Sequence, residues 1–159
     1  MKIKIGHSKD VHRLAKGETL FLGGIQIEHE MGLVGHSDAD VLLHAITEAI
    51  IGAMGMGDIG HFFPDTDPKF KGVDSKVLLA HVIEVMNQNG YQIGNIDSTI
   101  FAERPKIGPH IESMKATIST VCNIDADDVN VKATRGEKMG FVGREEGMGA
   151  EAVVLLIKE

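Results

Sequence analysis

Asp10 and His12, with His36, Ser37, Asp38, Asp40 and His44 further along, are the side chains here best suited to hold a metal ion and steer phosphate oxygens. Along Ser8-Lys9-Asp10-Val11-His12, strand alternation places Asp10 and His12 on one face. His44 follows at helical spacing after a polar stretch that offers Ser37 or Asp38 as an N-cap. Two imidazoles and a carboxylate leave the fourth position of a tetrahedral zinc open, as catalytic rather than structural sites do. The N-terminus of that helix would add free N–H groups and partial positive charge beside the metal. Each residue also has an ordinary alternative. A lone histidine is readily a satisfied surface or core group, and Asp40 either orients a ring nitrogen or offsets the helix dipole.

A second cluster lies towards the C-terminus. Lys132, Arg135, Lys138 and Arg144 fall within thirteen positions of a chain whose formal net charge is −7, with Glu137 among them. A carboxylate beside cations suits a phosphate-bound Mg²⁺ or Mn²⁺, since hard cations share oxygen ligands with phosphates. Gly136, Gly140, Gly143 and Gly147 would let backbone approach such a ligand. The alternative is a solvated charged turn between two strands, and Arg104-Pro105-Lys106 reads first as an ordinary basic turn.

The elements that must carry these groups are legible from periodicity. Residues 2–7 alternate as a strand; Thr19–Leu22 and Ile25–Ile27 flank Gly23-Gly24 as a hairpin. Leu42, Ala45, Ile46, Ala49, Ile50 and Ala53 form the apolar stripe of a helix over about 38–54. Residues 58–74 show no clear period, and so long an irregular segment is usually functional or mobile. A second helix starts at Asp74 or Ser75 and stops by Gly90, with Leu78, Leu79, Val82, Ile83 and Met86 inward. Ile96–Glu103 reads as a strand. Pro109 opens a third helix with Ile111, Met114, Ile118 and Val121 on its core side, and strands at 129–134 and 152–158 complete the order. That order predicts one α+β domain over residues 1–159, a mixed sheet with helices on one face. The opposite face then needs cover, which self-association would supply.

Composition narrows the partners. The negative balance argues against nucleic acid, whose phosphates need a basic face. Cys122 is the only cysteine, so neither a disulfide framework nor a thiolate zinc cluster is available. No run approaches the roughly 18 apolar residues of a membrane span, and Met1-Lys2-Ile3-Lys4-Ile5 does not resemble a signal peptide. A bacterial cytoplasmic protein is expected, or a plastid-type organelle protein lacking its transit peptide.

In order and spacing, several short segments together resemble the 2-C-methyl-D-erythritol 2,4-cyclodiphosphate synthase family of non-mevalonate isoprenoid biosynthesis. They are Asp10-Val11-His12, His36-Ser37-Asp38-Ala39-Asp40 to His44, Gly57-Asp58-Ile59-Gly60, Phe63-Pro64-Asp65-Thr66-Asp67, Asp128 to Thr134, Glu137-Lys138, and Gly147 with Glu151-Ala152. The resemblance implies zinc, or another divalent transition metal, on Asp10, His12 and His44, and Mg²⁺ or Mn²⁺ near Glu137 bridging a diphosphate. It implies that His36 and Ser37 face the reacting phosphates beside Val11, and that Asp58, Ile59, Gly60, Phe63, Pro64, Asp65, Thr66 and Asp67 hold the methylerythritol 2-phosphate end. Ala102, Glu103, Arg104, Pro105, Lys106, Ile107 and Gly108, with Thr134, Arg135, Gly136 and Glu137, would form the cytidine side, contributed by a neighbouring subunit. It further implies a homotrimer whose central channel, lined by Phe141 and Arg144 with Glu146 nearby, takes an isoprenoid diphosphate.

Two departures stand out. The family often reads Gly-x-Gly-x before the first metal aspartate, where this chain has Gly6-His7-Ser8-Lys9. It also commonly reads Thr-Thr-Thr-Glu where this chain has Thr134-Arg135-Gly136-Glu137, so Arg135 occupies the position of a threonine associated with the transferring phosphoryl group. The expected reaction is cyclisation of 4-diphosphocytidyl-2-C-methyl-D-erythritol 2-phosphate with release of CMP, His36 and Arg135 acting on the phosphates. A zinc hydrolase giving a linear phosphate and a non-catalytic isoprenoid diphosphate binder are the competing readings.

Overall fold

The computed structural model describes all 159 residues. Its first strand, β1 (Lys2–Lys16), continues well past the expected residue 7 and is the spine of the sheet. Along it Gly6, Ser8 and Leu14 are buried, while Ile3, Ile5, His7, Lys9 and Val11 face the other way. The strands that join it are β4 (Met31–Val34), β5 (Gln92–Phe101), β6 (Val129–Thr134) and β7 (Gly147–Lys158), in the order β4-β1-β7-β5-β6. Only β5 and β6 run parallel; β1 pairs antiparallel with β7 from Lys2↔Lys158 to Arg13↔Gly147. The hairpin of β2 (Leu20–Leu22) and β3 (Ile25–Ile27) forms separately, turning through Gly23 and Gly24 at φ +63° and +79°. Positive φ at both central residues is what a type I′ turn requires.

Three long helices cover one face. α1 (Val41–Met54) lies on β1 and β7, α4 (Ile111–Cys122) lies on β6, and α3 (Ser75–Gln88) packs between those two helices. The expected mixed sheet with helices is therefore observed. α1 starts later than the expected residue 38, because its N-cap is Asp40 rather than Ser37 or Asp38. It is also buried nearly all round: Val41, Leu43, Thr47 and Ile51 join the anticipated stripe. Gly55 ends it in the left-handed conformation at φ +74°, a conformation glycine adopts without steric cost. The irregular segment after it contains one helical turn, α2 (Ile59–Phe62), and a 3₁₀ turn at Pro68–Phe70. A further short helical turn, α5 (Gly140–Gly143), precedes β7. None of the helices is long and apolar enough to cross a membrane.

Cys122 closes α4 inside the core, and burial pushes its thiol up to about 12 from an ordinary 9.0. The unfolded chain releases that proton near pH 9 while the folded chain holds it, so this contribution to stability is present below pH 9 and lost as pH rises towards 12. The slope is about 1.4 kcal/mol per pH unit across that window. Native protein should resist a thiol reagent at pH 8 and label fully in denaturant, and a Cys122→Ala variant should lack this alkaline slope in denaturation measured against pH.

Candidate active site

The buried register of β1 brings the metal-ligating side chains to α1. A Cβ on Gly6 would sit 1.8 Å from the Ala49 carbonyl oxygen, so only glycine admits the helix this close to the strand. Further along the same face the helix delivers His44 opposite Asp10 and His12. Asp10 Oδ2 lies 3.0 Å from His12 Nε2 and 3.3 Å from His44 Nδ1, and the two ring nitrogens are 3.1 Å apart. Ligand atoms around a tetrahedral ion with bonds near 2.0 Å are separated by about 3.3 Å. Despite its short approach to His12, Asp10 Oδ2 is buried without a partner in hydrogen-bonding geometry. A carboxylate oxygen and two ring nitrogens, all within 3.3 Å of one another, fit a shared divalent ion.

The rings are held from behind. His12 Nδ1 donates to the Val34 carbonyl at 3.1 Å, which leaves Nε2 bare. His44 Nε2 faces the hydroxyls of Ser75 at 2.9 Å and Ser37 at 3.0 Å, and donation to them leaves Nδ1 bare. Ser75 is fully buried; its hydroxyl donates to the Asp38 carboxylate, whose other oxygen accepts from Ser75 N at 3.0 Å. Burial pushes the Asp10 carboxyl up, but the close approach and charge of His12 and His44 outweigh it and hold the group well below the usual range. For His12 burial acts downward, and the Asp10 contact wins and raises it.

Asp10, His12 and His44 therefore meet as the sequence suggested, whereas Asp40 does something else. Its carboxylate accepts from Leu43 N and Gly23 N at 3.0 Å and from Gly24 N at 2.7 Å, tying the hairpin to the helix start. Asp40 is wholly buried, so the N-terminus of α1 is sealed against any ligand. The expected amide-rich anion site at that helix end is absent. Ala39, just before it, is held at φ +60°, a strained conformation for a residue with a Cβ. Ser37 and Asp38, the anticipated caps, serve His44 and Ser75 instead.

A cavity of about 300 Å³ opens beside the triad, lined by His12, Gly35, His36, Ser37, His44, Ile59, Phe63, Asp65, Phe70 and Leu78. His36 Nε2 is fixed by the Asp67 carbonyl at 3.0 Å. Asp58 and Asp67 spend their carboxylates capping the short turns, on His61 N and Lys69 N. Gly60, Pro64 and Thr66 do not line the cavity, and the Val11 side chain is exposed on the opposite sheet face. Phe70 and Leu78 were not anticipated as walls. Phe70 is brought there by the fold of the 58–74 segment, and Leu78, read only as an inward residue of the second helix, reaches the cavity from α3.

Two adjoining cavities lie elsewhere on the chain. One of about 380 Å³ is lined by Ala102, Pro105, Lys106, Ile107, Gly108, Ile111, Ala133, Thr134, Arg135 and Glu137. The other, of about 740 Å³, shares Pro105, Lys106 and Arg135 and adds His29, Glu103, Arg104, Lys138, Gly143 and Glu145. Neither shares a residue with the triad cavity. The basic residues that converge here are Arg104, Lys106, Arg135 and Lys138. Lys132 is engaged by Asp97 and Arg144 by Glu146, so the expected four-cation cluster does not form. Arg104 is itself held by Glu30 at 2.7 Å and Glu145 at 2.8 Å. Gly136 donates to Glu103 Oε2, and the next two residues, Glu137 and Lys138, take positive φ, 52° and 60°. Three of the four glycines serve close approach within the chain: a Cβ on Gly136 would meet Gly143 N at 2.5 Å, one on Gly143 would meet Lys138 C at 2.3 Å, and one on Gly147 would meet His12 O at 2.5 Å, whereas Gly140 faces open space.

The model of the YgbB family matches residues 3–157. The chain belongs to the YgbB family. A relative from Pseudomonas fluorescens (strain Pf0-1), 54% identical over 98% of this chain and 99% of its own length, is named 2-C-methyl-D-erythritol 2,4-cyclodiphosphate synthase. Among solved structures, the bifunctional IspDF from Campylobacter jejuni superposes with a TM-score of 0.95 at 42% identity. This YgbB chain is covered to 99% in that superposition but spans only 43% of the bifunctional protein. IspF of Plasmodium falciparum, solved as a CDP complex, gives 0.86 at 34% identity over 99% of this chain and 97% of its own. The YgbB assignment thus extends over the triad, its cavity and the 102–108 and 134–137 segments alike.

Proposed function

We propose that this chain converts 4-diphosphocytidyl-2-C-methyl-D-erythritol 2-phosphate to 2-C-methyl-D-erythritol 2,4-cyclodiphosphate with release of CMP, as one catalytic domain in isoprenoid biosynthesis. The observation that carries the reading is the Asp10–His12–His44 triangle, two of whose members line a cavity, in a chain 54% identical to a synthase of that name over 98% of its length. An oxygen of the substrate's own 2-phosphate forms the new bond to the β-phosphorus, and the bond from that phosphorus to the bridging oxygen breaks, the electron pair leaving with CMP. No protein nucleophile is needed. Cys122 is buried, and the Ser37 and Ser75 hydroxyls are committed to His44.

What must be overcome is repulsion between two anionic groups, and positioning with fixed positive charge lowers that barrier. A divalent ion on Asp10, His12 and His44, for which two imidazoles and a carboxylate favour zinc, supplies Lewis-acid charge neutralisation. With the N-terminus of α1 sealed, the remaining help comes from His36, held by Asp67, and from the cations of the 102–138 region. Arg135 offsets charge on the diphosphate with a guanidinium instead of a hydroxyl. Glu137, exposed on its loop, is the carboxylate we assign to Mg²⁺ or Mn²⁺ on the diphosphate, with Thr134 and Gly136 beside it.

The cytidine is assigned to the 102–108 and 134–137 cavities, supplied to the triad by a neighbouring copy in a homotrimer. Two observations support this: those cavities share no residue with the triad cavity of the same chain, and the helix-free sheet face exposes Ile3, Ile5, Val11 and Val153. Phe141 and Arg144, both exposed, are assigned to a central channel able to take an isoprenoid diphosphate. We assign the activity to the bacterial cytoplasm. Incubation with the substrate and Mg²⁺ should release CMP and give two coupled phosphorus NMR signals without free phosphate; a linear product with free phosphate would indicate a hydrolase. His36→Ala should lower turnover by about 100-fold with metal content unchanged. Unaltered turnover in that variant removes His36 from the mechanism.

A further inference from the structure

We infer that Glu48, held by Ser8, is a positioning residue that fixes the α2 wall of the triad cavity. The inference rests on the cyclodiphosphate synthase reading for its kinetic arm alone. Glu48 lies one helical turn beyond His44 on α1, so the two share a helix face. One carboxylate oxygen accepts from Ser8 Oγ at 2.6 Å, and the other accepts from Ile59 N at 3.3 Å. Ser8 is 7% exposed and stands two residues before Asp10 on the same buried face of β1. A continuous link therefore runs from the metal strand, through the metal helix, to the first residue of α2.

That link matters because α2 is otherwise held only by partial packing of Ile59 and Phe62 on the core. A single turn has no stability of its own, since nucleation fixes several residues for one hydrogen bond. No residue of α2 is buried. From Gly57 to Phe63 the other hydrogen bonds stay inside the segment, and Ile59 N to Glu48 is the one that leaves it. Phe62 and Phe63 rest edge-on against His81, with centroids at 6.4 and 5.7 Å, which steadies the far end only. Ile59, at the near end, lines the cavity together with His12 and His44. Glu48 thus sets the distance between that wall and the metal ligands without itself lining the cavity, and Ser8 keeps its carboxylate aimed.

The test compares wild type with Ser8→Ala, Glu48→Gln and Glu48→Ala. It measures metal content, steady-state kinetics and amide hydrogen exchange over 57–63. In Glu48→Ala the Ile59 amide should exchange about tenfold faster and KM should rise about tenfold, the loss of one hydrogen bond to a charged acceptor. In the same variant kcat should stay within about threefold and metal content should not change. Glu48→Gln, which keeps an acceptor, should recover part of both effects; Ser8→Ala should show them more weakly and serves if Glu48→Ala does not fold. Unchanged exchange and KM overturn the inference, as does a parallel fall in metal content and kcat, which would make the pair a support of the metal strand. Exchange is read without substrate. A wild type that releases no CMP therefore sinks the cyclase reading, while the exchange result still decides the tether.

Discussion

Replacing His44 with alanine is expected to empty the metal site and to cut CMP release on the order of a thousandfold or more, because a Lewis-acid ion at a phosphoryl group is worth several kcal/mol of barrier. The geometry requires this. His44 Nδ1 is one corner of a triangle whose other corners, Asp10 Oδ2 and His12 Nε2, lie 3.3 and 3.1 Å away. Without it the ion keeps two protein ligands, and the backing from Ser75 and Ser37 has nothing to orient. The fold should survive, because the helix carrying His44 is anchored by the apolar residues around it. Elemental analysis of purified protein, with circular dichroism as a control for folding, checks both halves. Full metal occupancy in the variant contradicts the ligand assignment.

Asp40→Ala should have the largest effect on stability of any single change near the site. The substitution removes the N-cap of α1 and orphans three backbone N–H groups, those of Leu43, Gly23 and Gly24. Each unmet buried donor costs about 1–3 kcal/mol, so a loss of roughly 3–5 kcal/mol is expected after partial relaxation. For a domain of this size that lowers Tm by roughly 8–16 °C. Asp40→Asn keeps one acceptor oxygen and should fall between the two. Thermal denaturation of the three proteins measures the order, and a Tm within about 3 °C of wild type for Asp40→Ala would show that the hairpin is not clamped through this carboxylate.

The two residues just discussed also mark where sequence reasoning succeeds and where it stops. Asp10 and His12 are two apart on a strand, so alternation puts them on one face, and His44 sits on a strongly periodic helix but off its apolar stripe, so only the residue types and the fold bring it to the other two. Asp40 lies in a run where Ser37, Asp38 and Asp40 are all good caps. The choice among them is made by the amides of Gly23 and Gly24, which local spacing cannot reveal. The same holds for Ser75, whose role depends on Asp38, distant in sequence. β4 escaped notice because it is four residues long, contains Gly32, and exists only by pairing with residues 13–16 of β1. The cation cluster failed differently: charges close in sequence were consumed by Asp97 and Glu146, while Arg104 and Lys106 arrived from another loop.

The all-round burial of α1 bears on how such a protein diversifies. Ten of its fourteen residues are shut away from solvent, and Gly6 lets it press against the strand with no room for even a methyl group. Packing this tight tolerates few changes of side-chain volume. Mutational drift is thereby steered into the exposed side chains of the 58–70 and 135–139 segments, so new preferences among phosphorylated substrates would arise there while the ion-holding corner stays as it is.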